Sequence, residues 1–178
     1  MSFSTLLIGH ESLLVQCGAM LLEAGHNIRG VVTRNPDVRN WAEGQSLTVY
    51  APGSDLADRL SDTEFDWLLS IANLDLLPQR LLEQARKGAV NFHDGPLPRY
   101  AGLNAPVWAL LNGETQHGIS WHKITGGVDE GDIIAQRHVD ISANDTALTL
   151  NTKCYGAAMD SFPDVIAALE AGIPNPHP

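Results

Sequence analysis

Basic residues are scarce in this 178-residue chain: 11 lysines and arginines stand against 21 acids, a formal charge of −10. A nucleic-acid backbone is bound mainly through clustered cations. The densest basic stretch, Arg80 to Lys87, spreads three cations along what reads as one helix. Nucleic acid is therefore not an expected partner of this segment. Cysteine is also sparse, with Cys17 and Cys154 far apart in apolar, helix-like sequence. Both read as reduced core residues, and their scarcity fits a cytoplasmic protein. No run approaches the roughly 18 apolar residues of a membrane-spanning helix. The opening Met-Ser-Phe-Ser-Thr-Leu-Leu-Ile-Gly lacks the basic leader of a secretory signal. No membrane partner is expected.

Several catalytic signatures are missing as well. A dinucleotide site needs Gly-x-Gly-x-x-Gly after the first strand. Here that turn reads Gly9-His10-Glu11-Ser12-Leu13-Leu14, one glycine followed by an acid that repels a pyrophosphate. There is no Walker sequence and no Gly-x-Ser-x-Gly elbow. Seven histidines raise the question of a metal. None forms His-x-x-x-His on a helix and no cysteine lies close, so no metal is expected. The acidic turn at 125–132 lacks the alternate-residue acids and distant Glu of a calcium loop. Internal repeats and low-complexity tracts are absent.

What is present is an alternation of strands and helices. Apolar or β-branched runs at Ser4–Gly9, Ile28–Thr33, Leu47–Tyr50, Phe65–Ile71 and Ala89–Phe92 read as strands. Between them, Glu11–Ala24, a helix opened by Asn35-Pro36, Ser54–Leu60 and Pro78–Arg86 read as helices. Such an order implies an α/β, Rossmann-like fold: a mostly parallel sheet with helices on both faces. After Phe92 the rhythm changes to a loop over His93–Asn104 and a short helix at Ala105–Leu111. Strands follow at Gly118–Ile124 and Asp132–Asp140, then a long helix, capped by Asn144 or Asp145, that reaches Ala171. One domain over 1–173 is expected, with 174–178 the start of a linker or tail. The sequence is silent on oligomeric state.

Ligands of open parallel sheets bind beyond the carboxyl ends of the strands. The strand Ala89–Phe92 brings Asn91 and His93 to that edge, on the same side by strand alternation. Spacing alone fits a turn cap or a core hydrogen bond as well as it fits catalysis.

Longer stretches narrow the choice. Asn91-Phe92-His93-Asp94-Gly95-Pro96-Leu97-Pro98-Arg99-Tyr100-Ala101-Gly102 resembles the Asn-x-His-x-Ser-Leu-Leu-Pro-x-Tyr-x-Gly signature of folate-dependent formyltransferases. The segments 109–118 and 128–136 look like that family's next blocks, and 72–78 looks like its folate-side loop. Gly95 and Pro96 depart from the usual Ser-Leu, and Asn73-Leu74 from a common Tyr-Gly.

The resemblance implies a formyltransferase fold of the type that begins methionyl-tRNA formyltransferase and forms glycinamide ribonucleotide transformylase. It implies transfer of formyl from 10-formyltetrahydrofolate to an amine through a tetrahedral species bearing negative oxygen. Asn91 and a protonated His93 are the implied donors to that oxygen. Asp129 is implied to orient His93, favour its charged form and help shuttle the amine's proton through water. Leu76, Leu77, Thr125, Gly126, Gly127 and Val128 are the implied pteridine contacts, and Tyr100, Leu103 and Asn104 the acceptor side. The stretch 94–108 is most similar to formylation domains of peptide and polyketide assembly lines. The expected acceptor is thus a small amine or an aminoacyl group held on a carrier protein, with an amino-sugar nucleotide next. A catalytically idle folate-binding or carrier-docking module is the alternative of another class.

Overall fold

A computed structural model describes residues 1–173, and the linker expected at 174–178 lies outside them. The chain divides into two compact units, Met1–Val90 together with the stretch from Leu169, and Asn91–Ala168. Among the described residues one seven-stranded sheet forms, its strands in the order Val49–Tyr50, Asn27–Val32, Ser4–Ile8, Phe65–Ser70, Ala85–His93, Gln116–Lys123 and Ile133–Asp140.

In the first unit, β1 (Ser4–Ile8) pairs in parallel with β2 (Asn27–Val32) and with β4 (Phe65–Ser70), and β2 pairs in parallel with β3 (Val49–Tyr50). Parallel strands are covered on both faces and so read as continuous apolar runs. Leu6, Leu7, Val31, Leu68 and Leu69 are accordingly fully buried. α1 (Ser12–Glu23) turns Leu13, Leu14, Cys17 and Leu21 inward at helical spacing, while Leu22 is only half-buried. α2 (Pro36–Gly44) begins as its sequence predicts, with the Asn35 side chain accepting from the Asp37 N–H.

Gly9, the lone glycine of the first turn, has a packing reason. A Cβ there would stand 1.9 Å from the Ile71 carbonyl oxygen, so only glycine lets the chain pass the end of β4.

Two expected helices contract. The one at Ser54–Leu60 is α3 (Leu56–Arg59), with no side-chain cap. The one at Pro78–Arg86 is the single turn α4 (Gln79–Leu82), and residues from Ala85 join β5 (Ala85–His93). Helix propensity is a weak prior and so short a segment barely nucleates alone. Here Gln84 is tied to the Ala57 carbonyl at 2.7 Å, and sheet pairing takes the residues beyond it. Gly88 therefore lies inside a strand instead of opening one, and Arg86 and Lys87 are strand residues, so the three cations share no helix.

The second unit holds the end of β5, α5 (Ala105–Leu111), β6 (Gln116–Lys123), β7 (Ile133–Asp140) and most of α6 (Ala147–Ala171). β6 and β7 pair antiparallel, so the sheet is mixed though mostly parallel. β6 is buried on both alternating sets: Ile119 and Trp121 on one, Ser120 and His122 on the other. Trp121 packs on Phe92 and Phe162, and its Nε1–H donates to Ser161 at 2.9 Å. Thr146, not Asn144 or Asp145, is the residue whose side chain accepts from the N–H three positions on, that of Thr149 at 3.2 Å. Asp145 instead braces the turn, accepting from Ser142 N–H, Thr149 Oγ1 and Lys153 Nζ, and these bonds bring its carboxyl down to about 2. Cys17 and Cys154 are both free and buried. Among the described residues no helix is long and apolar enough to cross a membrane, and no three His, Cys, Asp or Glu side chains cluster as metal ligands.

Candidate active site

The strand β5 ends on His93, whose ring is almost wholly buried at 6% exposure. Its Nε2 lies 2.6 Å from the Tyr100 carbonyl oxygen. A carbonyl only accepts, so Nε2 carries the hydrogen and donates it. Gly95 makes this bond possible: a Cβ at that position would stand 2.7 Å from Nε2 and 2.9 Å from the Tyr100 oxygen. The other ring nitrogen, Nδ1, faces two carboxylates, Asp129 Oδ2 at 3.5 Å and Asp94 Oδ1 at 4.0 Å. Both distances exceed hydrogen-bond range. The carboxylates act on Nδ1 by their charge.

Asp129 sits in the β6–β7 connection with φ of +53°, a left-handed backbone that Asp tolerates better than most residues. Its Oδ2 also accepts the Gly102 N–H at 2.8 Å, and its Oδ1 is 3.3 Å from His122 Nε2. Burial works against this carboxylate's charge. The His122 ring, the Gly102 N–H and the nearby His93 outweigh burial and hold the group below the usual carboxylate range.

His122 stands between Asn91 and Asp129, and sequence reasoning missed it. It is 2% exposed, its Nδ1 is 2.9 Å from the Lys123 carbonyl oxygen, and its Nε2 is 3.2 Å from Asn91 Nδ2. The same Nε2 is 3.3 Å from Asp129 Oδ1, so the ring stands between the Asn91 amide and the Asp129 carboxylate. Strand alternation groups His122 with Ser120, and that was the one available signal. Nothing in the sequence says that this face meets Asn91.

The loop after His93 is pinned from β6 and β7. Ser120 Oγ donates to the Gly95 carbonyl at 2.8 Å and accepts the Leu97 N–H at 3.1 Å. Gln136 Nε2 reaches both the Leu97 carbonyl and Ser120 Oγ at 2.9 Å. His117 Nε2 donates to the Asp94 carbonyl at 2.7 Å, and burial lowers the pKa of its ring.

Of the expected acceptor residues, Tyr100 has its hydroxyl engaged, donating to Glu114 at 2.7 Å and accepting from Asn112 at 3.0 Å. Its carbonyl, not its hydroxyl, meets His93. Leu103 is 64% exposed, and Asn104, with φ of +59°, opens α5 without a side-chain cap. Thr125 and Gly126 are exposed, Gly127 is half-buried and Val128 is exposed. In the first unit, Leu76 is 83% exposed, and Leu77 lines a cavity of about 550 Å³ with Ile8, Val32, Arg34, Leu56 and Leu81. The departing pair Asn73-Leu74 forms a turn in which the Asn73 side chain accepts from Asp75 N–H and donates to its carbonyl. The structure thus brings Asn91, His93 and Asp129 together through His122, within the second unit. Leu76 and Leu77 lie in the first unit, and Thr125 to Val128 lie in the second.

The formyl transferase family model matches residues 19–166. The chain belongs to the formyl transferase family. Members of this family take formyl from 10-formyltetrahydrofolate. Among solved structures, glycinamide ribonucleotide transformylase 1 of Symbiobacterium toebii superposes with a TM-score of 0.87 at 22% identity, over 96% of this chain and 89% of that one. Phosphoribosylglycinamide formyltransferase of Coxiella burnetii gives 0.83 at 24% identity, over 100% and 92%. A formyltetrahydrofolate deformylase from Pseudomonas syringae gives 0.86 at 19% identity, over 96% of this chain and 62% of that one. At these identities the likeness establishes the formyltransferase fold.

Proposed function

We propose that this formyl transferase acts on an amine acceptor with Asn91, His93 and Asp129 as its working residues. The observation that supports this is their convergence: Asp129 Oδ2 stands 3.5 Å from His93 Nδ1, and its Oδ1 stands 3.3 Å from the His122 nitrogen that meets Asn91. 10-Formyltetrahydrofolate supplies a formyl carbon on a nitrogen leaving group. The donor set fits its formyl oxygen, because the Asn91 amide N–H and the His93 Nδ1–H are both hydrogen-bond donors. Tyr100 fixes the imidazole plane through Nε2, so Nδ1–H is aimed in advance of reaction. Asp129, kept ionised by its neighbours, favours the ring form that carries both hydrogens. Donors oriented toward a developing oxyanion are worth on the order of 10²–10³ in rate each. Leu76 and Leu77 on one loop, and Thr125, Gly126, Gly127 and Val128 on another, are the proposed pteridine contacts, with Tyr100, Leu103 and Asn104 toward the acceptor.

For the acceptor we favour an amino acid or an aminoacyl group on a carrier protein, as in peptide or polyketide assembly, ahead of an amino-sugar nucleotide. The transformylases named above act on a ribonucleotide. A phosphate-bearing acceptor needs an anion site, yet Glu11 precedes α1 and Gly9 is explained by packing against Ile71. A panel of amines with 10-formyltetrahydrofolate, read by mass, tests the choice. Formylated free or carrier-bound amino acids are expected. Formylation of glycinamide ribonucleotide alone overturns the acceptor, and no formylated product at all overturns the activity.

A further inference from the structure

Asp94 is a carboxylate that the family signature does not require, since its position there is open to any residue. It lies beside the working nitrogen of His93: Asp94 Oδ1 is 4.0 Å from Nδ1, the atom that Asp129 Oδ2 faces at 3.5 Å. Its main chain is immobilised, with the carbonyl accepting from His117 Nε2 at 2.7 Å and the next residue, Gly95, wedged against the His93 ring. Its side chain keeps 32% of its surface open, against 11% for Asp129. The chemistry needs such a group. An acceptor α-amine with a pKa of about 8 is mostly protonated at neutral pH and must shed a proton to attack. Asp129 Oδ2 already accepts the Gly102 N–H and its Oδ1 faces His122 at 3.3 Å, so Asp94 is the more open of the two carboxylates.

We propose that Asp94 is a second acid–base residue of this site, the one that receives the acceptor amine's proton. The step is simple. The acceptor's ammonium N–H bond breaks, and its proton moves to a carboxylate oxygen of Asp94 and on to water. The freed nitrogen pair bonds the formyl carbon as the C=O pair moves onto oxygen. When that oxyanion collapses, the bond from the formyl carbon to the folate nitrogen breaks, and this nitrogen takes the second proton that the acceptor nitrogen sheds. The division of labour follows from the surroundings of the two carboxylates. Burial pushes Asp94 above the usual carboxylate range, and the Asp129 charge adds to this, against the pull of His93 and His117. A receiver is most effective when its pKa approaches the working pH, and paired carboxylates pushed apart by their environments divide such roles. The other titratable neighbour is Cys154 on α6, whose thiol is pushed up to about 12 by burial and the Asp94 charge, so it stays protonated throughout.

This proposal rests on the formyl-transfer reading above, and one experiment separates the two. Rates for wild type, Asp94→Asn and Asp94→Glu are measured across pH with 10-formyltetrahydrofolate and an accepted amine, alongside folate affinity. Asp94→Asn is expected to lose about 10²–10⁴-fold in kcat, to bind folate within about twofold of wild type, and to lose the rise in kcat with pH. Asp94→Glu is expected to restore part of the rate and of the pH dependence. An Asp94→Asn enzyme within threefold of an active wild type, with the same pH profile, overturns the role of Asp94 alone. A wild type inactive with every amine overturns the formyl-transfer reading, and this role falls with it.

Discussion

At the scale of single residues, the site depends on what is small or unpaired as much as on what is charged. Gly95 is the clearest case. Its missing side chain lets the His93 ring close on the Tyr100 carbonyl at 2.6 Å, and any Cβ would occupy the same space. Restoring the serine usual in the family signature should therefore harm this chain. Gly95→Ser is expected to lower kcat by up to about 10²-fold, since displacing a catalytic group by an ångström can cost that much. Steady-state kinetics check this, and a rate equal to wild type would show that the ring is not held by that carbonyl. Asp129 works by charge, and the linkage sign follows from its lowered pKa. Its contribution to stability is full above the unfolded value of about 3.9 and is lost as pH falls through the lower folded one.

At the scale of elements, the sequence was most legible where periodicity was sustained and least where neighbours distant in the chain decided. The helix Ala105–Leu111 was legible to the residue, and most parallel strands to within a residue or two. The helix expected at 78–86 was legible only at its start, because strand pairing takes the residues from Ala85 onward. His122 was hidden for a related reason: its partner Asn91 lies 31 positions away, and strand alternation shows a face without showing what covers it. The cap of α6 moved by one residue from the nearer of its two candidates, since Asp145 found stronger partners in Lys153 and Ser142 and left the capping bond to Thr146. Thr146→Ala is expected to cost about 1 kcal/mol, seen as a fall of about 2–4 °C in Tm for a chain of this size. An unchanged melting curve would place the helix start elsewhere.

At the scale of the whole molecule, the alternation of strands and helices was sufficient to predict a mostly parallel α/β sheet, and the catalytic motif pointed to the family. The acceptor proposed above rests mainly on exclusion. A charge of −10 disfavours a bare polyanion, and Glu11 stands before the helix where a phosphate would otherwise dock. Similar sheets host many activities, so the fold by itself decides little about the substrate. The reacting groups decide more, and they can be tested directly. The decisive measurement is kcat for wild type and His93→Ala at saturating 10-formyltetrahydrofolate and amine, with folate affinity measured on both. A loss of about 10²–10³-fold in kcat at unchanged folate affinity is the predicted result. Equal turnover by the two proteins, or a wild type that binds folate and formylates nothing, would contradict the account.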